Sequence, residues 1–238
     1  CNIYDASSII LKNPIVLTIR ILFLGGVMEE EIRFYFSYDK YEELLEKLKK
    51  IKELKNEGCY LELTIQYDHP NQEMSFYDKK VDGRFRLRSS INIENNVEKS
   101  KISWKRRIDN ENKNINVEEE IEVELNANQV NNLQTLLEQV LKMKRIESYQ
   151  RYRNVFVNSD VEIVVDKYPF GIALEIENKS KTQKGEDVIN KWVKELNLNI
   201  EERYKLSWDD KYISLCKEQG IIPVKDVIFD ENIIMPKV

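Results

Sequence analysis

Histidine, cysteine, proline and glycine are all scarce in this chain, and each scarcity removes a class of chemistry. One residue in 238 is histidine, His69, set in the turn-like run Asp68-His69-Pro70-Asn71 without a partner constellation. Zinc sites built on imidazole and Ser/His/Asp catalysis are therefore poor candidates. The three cysteines, Cys1, Cys59 and Cys216, lie far apart and show no CxxC spacing. That argues against a zinc ribbon or a disulfide framework and suits a reducing, cytoplasmic setting. With only 7 glycines and 5 prolines in a chain that is 42% hydrophobic and 33% charged, long disordered tracts are not expected. A GxxxxGKS/T loop is missing, which excludes phosphate binding by a P-loop.

Long apolar runs and an excess of basic charge are missing as well. The apolar stretch Ile9 to Val27 is interrupted by Lys12, Asn13-Pro14 and Arg20, so it reads neither as a membrane span nor as a secretory signal. Residues 1–27 are expected to form an extra segment outside the fold, with Met28 as the native start. A net charge of −5 argues against a generally basic nucleic-acid surface. Neither DNA nor a membrane is expected as a partner; a homodimer is possible.

What the chain does have is charge at spacing two. A strand sends successive side chains to opposite faces, so Glu29, Glu31 and Arg33 share one face while Ile32 and Phe34 share the other. The pattern returns at Arg84/Arg86/Arg88, Glu120/Glu122/Glu124, Arg151/Arg153 and Glu175/Glu177. Strands are expected near 28–36, 59–67, 72–79, 83–91, 99–108, 115–125, 145–157, 160–167 and 171–178. Helices are expected from an Asp39 cap, with Glu42 as its capping-box partner, to Gly58, and over 128–142, 184–196 and 207–218. Ser207 and Asp210 form a second capping box. The last stretch, 221–238, is irregular and has no assigned role.

Eight or nine strands without a βα rhythm define an antiparallel α+β protein. The uncharged faces, such as Ile32/Phe34, Phe85/Leu87, Ile102/Trp104, Ile121/Val123/Leu125 and Val161/Ile163/Val165, need covering, and the helices supply the cover. A barrel closed on these terms is inverted, with a charged interior. Trp104, Tyr152 and Trp192 read as core or rim aromatics, and Arg84, Glu118 and Glu124 as extensions of the charged rows towards the barrel mouths. Any one charged strand is explained by solvent. Five of them, with acids and bases segregated by strand, point to a polyanion and its metal.

Six inward cations follow: Arg33, Arg86, Arg88, Lys105, Arg151 and Arg153. Gathered alone they would repel, whereas phosphate oxygens accept guanidinium groups bidentately. The carboxylates Glu29, Glu31, Glu120, Glu122, Glu175 and Glu177 would face that phosphate badly unless a hard cation, Mg²⁺ or Mn²⁺, lay between.

These residues resemble the CYTH family, also called triphosphate tunnel metalloenzymes, which includes class IV adenylate cyclases, thiamine triphosphatases and inorganic triphosphatases. The likeness covers about 28 to 218. It rests on Glu29-x-Glu31-x-Arg33 in place of the family's ExExK strand, Arg86-Leu87-Arg88, Lys105 closing Ile102-Ser103-Trp104-Lys105, Glu120-Ile121-Glu122, Arg151-Tyr152-Arg153, and the segment from Val165 to Glu177. The resemblance implies a closed eight-stranded antiparallel β-barrel, with helices outside, spanning 28–220 and followed by a tail at 221–238.

It further implies Glu29, Glu31 and Glu177 as metal ligands, with Glu175 and Asp166 as additional ones. Glu120 and Glu122 would hold a second metal or orient water, and Arg86, Arg88, Lys105, Arg151 and Arg153 would clamp the phosphates. The implied activity is metal-dependent hydrolysis of tripolyphosphate or a small organic triphosphate. Cyclisation of ATP, RNA 5′-triphosphate hydrolysis and binding without turnover are the alternatives. Two departures stand out: arginine at position 33, which binds phosphate but cannot give up its proton, and extra length between Lys105 and Glu120.

Overall fold

The computed structural model describes residues 26–78, 80–108 and 115–238. Residues 1–25 lie outside the described residues, as does most of the lengthened hairpin tip after Ile108. Nine strands are described: β1 (Val27–Phe36), β2 (Lys55–Asp68), β3 (Gly83–Asn92), β4 (Glu98–Ile108), β5 (Asn116–Leu125), β6 (Lys144–Val157), β7 (Val161–Tyr168), β8 (Gly171–Asn178) and the short β9 (Asp226–Val227). The helices are α1 (Tyr41–Lys49), α2 (Val130–Thr135, continuing into a π-helical turn to Val140), α3 (Gly185–Glu195) and α4 (Trp208–Gln219).

The first eight strands close on themselves. Reading round the barrel the order is β2, β3, β4, β5, β1, β8, β7, β6 and back to β2, and each neighbouring pair is antiparallel. Closure pairs β2 with β6 along nearly the whole of both strands. Because side chains alternate along a strand, closure sends one complete set inward. In β1 the inward set is Glu29, Glu31 and Arg33, while Ile32 and Phe34, each 2% exposed, point out.

The hydrophobic core therefore lies outside the barrel wall. Ile32, Phe34, Ile163, Val165, Leu174 and Ile176 pack against Leu45 and Leu48 of α1 and Val188, Ile189 and Trp192 of α3. On the other flank Ile65, Tyr67 and Leu87 meet Leu137 of the α2 turn. Each large side chain buried in this way contributes roughly 1.5–3 kcal/mol. A third cluster sets Trp208, Tyr212, Leu215 and Cys216 of α4 on Tyr149, Tyr168 and Phe170, so that α4 packs across one end of the barrel.

Four local expectations are corrected. No strand forms among the described residues of 72–79; a 3₁₀ turn, Gln72–Met74, and bends follow Pro70 instead. The Asp68 carboxylate gathers this loop, accepting the N–H groups of His69 and Phe76 and the Ser75 hydroxyl at 2.8, 3.0 and 2.7 Å. Gly58 does not end a helix. It lies in β2 with φ of +103° at a break in the register with β6, its N–H donating to the Asn56 side chain at 2.9 Å. Asp39 falls inside a 3₁₀ turn after Ser37, and the Asp39/Glu42 capping box is not made. Finally, the C-terminal stretch is not all irregular: β9 runs parallel to β6 at Ser148 and Tyr149, beyond the reach of β7, and buries Val227.

Candidate functional site: a charged tunnel

The barrel encloses a cavity of about 250 Å³ whose wall is almost entirely ionisable. Arg84, Arg86 and Arg88 on β3 with Lys105 on β4 form one basic sector, Arg151 and Arg153 on β6 another, and the carboxylates of β5, β1, β8 and β7 lie between them. Glu31 faces Glu177, and Arg33 faces Glu175, across β1 and β8; Lys105 faces Glu120 across β4 and β5. Towards the α4 end Arg84 and Asp209 are 14% and 8% exposed, whereas Lys101, Glu122 and Lys179 at the opposite end are 31%, 37% and 40% exposed. The tunnel thus has a wet mouth and a dry floor, where the Trp208 ring is tilted against Tyr149 with centroids 4.2 Å apart.

Of the sequence-derived metal ligands, Glu29 and Glu31 come together, and they are joined by Glu118. One oxygen from each lies within 4.8 Å of the others. The set consists only of hard carboxylate oxygens, so it suits Mg²⁺ or Mn²⁺. Glu118 is 6% exposed, and its Oε2 makes no hydrogen bond, its one charged contact being the Lys105 ammonium at 2.6 Å. Those residues fit a divalent ion. Glu177 stands next to Glu31 in register but pairs with Lys179.

Glu175 and Asp166 are engaged differently. Glu175 accepts from Arg33 at 2.6 Å and Arg153 at 2.8 Å. Asp166, fully buried, takes Arg151 at 2.9 Å and a bidentate pair from Arg153 at 2.8 and 2.6 Å. Both serve as counter-ions that fix the arginines, and neither belongs to the three-carboxylate group.

Electrostatics follow from burial in competition with these partners. Burial alone would raise the Glu31 carboxyl, but Lys105 and Arg33 outweigh it and hold it below its ordinary value. Glu29 goes the other way: burial, aided by Glu120 and Glu177, overcomes the pull of Lys105 and pushes it up to about 8. Glu177 is also raised by burial, against Lys179. Burial opposes ionisation of Glu120 and Glu175 as well. Arg86 and Lys105 hold Glu120, and Arg33 and Arg153 hold Glu175, well below the usual carboxylate range.

The basic residues line the same space. Arg86 donates to Glu120 at 2.9 Å, Arg88 to the Thr64 hydroxyl at 3.1 Å, and Arg151 to Glu62 at 2.7 Å. Their guanidinium groups are not used up. Arg84 Nε, Arg86 Nε and Arg151 Nη2 are buried donors without a protein acceptor. Each such orphan costs about 1–3 kcal/mol unless a ligand supplies an oxygen. Lys105, expected to hold phosphate, is instead surrounded by Glu29, Glu31, Glu118 and Glu120. Glu122, exposed at the mouth, pairs with Lys101.

Sequence reasoning placed Glu118 near a barrel mouth, yet it belongs to the central carboxylate group. Its membership was signalled by the unbroken row Glu118/Glu120/Glu122. It passed over Tyr149, whose hydroxyl, despite burial, is drawn down to about 8 by Arg88, Arg151 and Arg86. Trp208 and Ser207, which line the floor, carried no periodic signal at all.

An inverted eight-stranded barrel with this lining defines the triphosphate tunnel fold, and the chain adopts that fold. Solved structures agree with it. The chain is similar to the PH1012 protein of Pyrococcus horikoshii, with TM-score 0.58 and 19% identity over 76% of this chain and 98% of that one. The PH1819 protein of the same organism matches with TM-score 0.57 and 20% identity, covering 78% and 98%. A protein of Vibrio parahaemolyticus described as a proposed adenylate cyclase matches with TM-score 0.55 and 15% identity, covering 78% and 97%. No protein-family model matches the sequence, and no curated protein is significantly similar to it.

Proposed function

We propose that the tunnel binds the phosphate chain of tripolyphosphate or of a small organic triphosphate and hydrolyses it with a divalent metal. The observation that carries this is the juxtaposition of orphaned guanidinium donors from Arg84, Arg86 and Arg151 with the Glu29, Glu31 and Glu118 oxygens. A polyanion satisfies the first set and a hard cation the second. A cavity of about 250 Å³ suits a short phosphate chain and leaves an organic group at the mouth.

In this reading Arg86, Arg88, Arg151 and Arg153 hold phosphate oxygens in a fixed fork geometry. Asp166, Glu62 and Glu175 keep those guanidiniums in place before substrate arrives, so little reorganisation is needed at the moment of reaction. Glu29, Glu31 and Glu118 would hold Mg²⁺ or Mn²⁺, which when bound would neutralise phosphate charge and acidify water. Glu120 and Glu122 orient the attacking water.

Phosphate release from tripolyphosphate with Mg²⁺ or Mn²⁺ tests the reading. Glu31→Ala and Glu118→Ala should each lower it by about 10²–10³, the scale of losing a group that stabilises transition-state charge. Full activity in both Glu31→Ala and Glu118→Ala would sink the assignment. Likeness to the Vibrio protein supports a second reading, cyclisation of ATP in the same tunnel. The products decide: cyclic AMP and pyrophosphate for the cyclase, phosphate for the hydrolase.

A further inference from the structure

The Lys105 ammonium occupies the place that a divalent ion needs. It lies 2.6 Å from Glu118, 2.9 Å from Glu29, 3.2 Å from Glu31 and 3.8 Å from Glu120. The first three are the carboxylates whose oxygens gather within 4.8 Å. Oxygens around a hard ion at about 2.1 Å stand at most about 4.2 Å apart, so the set needs only a small contraction. Lys105 donates to Glu29 and Glu31, while its 2.6 Å contact with Glu118 Oε2 is an ion pair without hydrogen-bond geometry. An ammonium with three donors and no preference for octahedral geometry fills this nest incompletely.

Two cations cannot share the nest, because their repulsion at such separations is large where water is excluded. Lys105 must therefore withdraw when a divalent ion binds. Its flexible stem keeps the ammonium inside the tunnel, where its register partner on β3 is Arg84 and Arg86 stands two residues further along. Among those guanidiniums a displaced ammonium is repelled unless an anion is already there.

Resting on the proposed metal-dependent triphosphate site, we propose that Lys105 is a built-in competitor for the metal position, and that full metal affinity is reached only when a polyphosphate receives the displaced ammonium. Metal and phosphate then assist each other reciprocally, and neither is held firmly alone.

The test is binding of Mn²⁺ alone, followed by electron paramagnetic resonance in phosphate-free buffer, to wild type, Lys105→Met, Lys105→Gln and Lys105→Arg. Lys105→Met should take up Mn²⁺ about tenfold more tightly than wild type, within the usual range of coupling between sites. Mn²⁺ should also raise its melting temperature more than it raises that of wild type. Lys105→Arg, which keeps a competing cation, should bind Mn²⁺ as weakly as wild type. Tripolyphosphate binding measured with a chelator present should weaken in Lys105→Met.

Should Lys105→Met fail to fold without metal, Lys105→Gln carries the same expectation, since its amide can still donate to two of the carboxylates. Mn²⁺ binding no tighter than wild type in Lys105→Met and Lys105→Gln, with wild type binding both ligands, overturns the competitor role alone. A wild type that binds neither Mn²⁺ nor tripolyphosphate overturns the functional reading beneath it.

Discussion

Arg33 reaches acceptors on three segments: Glu175 on β8 at 2.6 Å, Glu31 on its own strand at 2.7 Å, and the Leu206 carbonyl ahead of α4 at 3.0 Å. Only a planar fork makes all three bonds at once, which accounts for arginine at a position where the resembled family carries lysine. Arg33→Lys should cost about 1–3 kcal/mol in chemical denaturation, because a buried acceptor is left unmade, and should not raise turnover. Unchanged stability would show that the fork is dispensable.

A second residue-scale expectation concerns Glu147 at the floor. The Tyr77 hydroxyl lies 2.9 Å from Glu147 and 2.5 Å from Asp209, and one hydroxyl proton cannot serve two carboxylates. Burial and the neighbouring Asp209 accordingly push Glu147 up from 4.5 to about 7. The folded protein binds more protons there than the unfolded chain does between those values. Stability from this group is thus complete below the unfolded value and is lost as pH rises through about 7. Glu147→Gln should remove that loss, gaining about 3 kcal/mol over wild type at alkaline pH and nothing in acid. Denaturation midpoints of the two proteins across pH would reveal a parallel course if the shift were absent.

Among the elements, α4 depends most visibly on its start. Ser207 and Asp210 form the expected capping box, and Ser207 also accepts Arg84 at 3.0 Å, tying the helix to β3. Ser207→Ala should lower stability by about 1 kcal/mol, read by thermal or chemical denaturation, whereas an unchanged value would make the cap redundant. This box was legible because both partners are local in sequence, as were the charged strands, whose period of two survives any packing. Closure of the barrel through β2 and β6 was not legible, since nothing in either strand names a partner some ninety residues away. Nor was the loop after Pro70. Its alternation imitates a strand, and only the Asp68 carboxylate collecting backbone N–H groups decides otherwise. The carboxylate roles divided for a related reason: a row of glutamates announces a face, but which member meets a lysine and which meets an arginine depends on the stagger between strands.

Across the whole molecule, closure leaves the barrel without free edges and gathers unsatisfied donors and carboxylates into one interior. Ligands that satisfy both should stabilise the folded state by mass action. Tripolyphosphate with Mg²⁺ at about a hundred times its dissociation constant should add about 2.7 kcal/mol, or several degrees in melting temperature. A scan showing no shift with either ligand or both would leave the buried guanidinium donors without a purpose.

The position of α4 carries one more consequence. With Trp208 seated against Tyr149 and Tyr168, α4 lies across the floor end of the passage. On the hydrolase reading proposed above, a phosphate polymer would then not be threaded through, and internal linkages would stay out of reach. A long chain would be met end-first and shortened from its terminus, each released unit retreating past the incoming one through the same doorway.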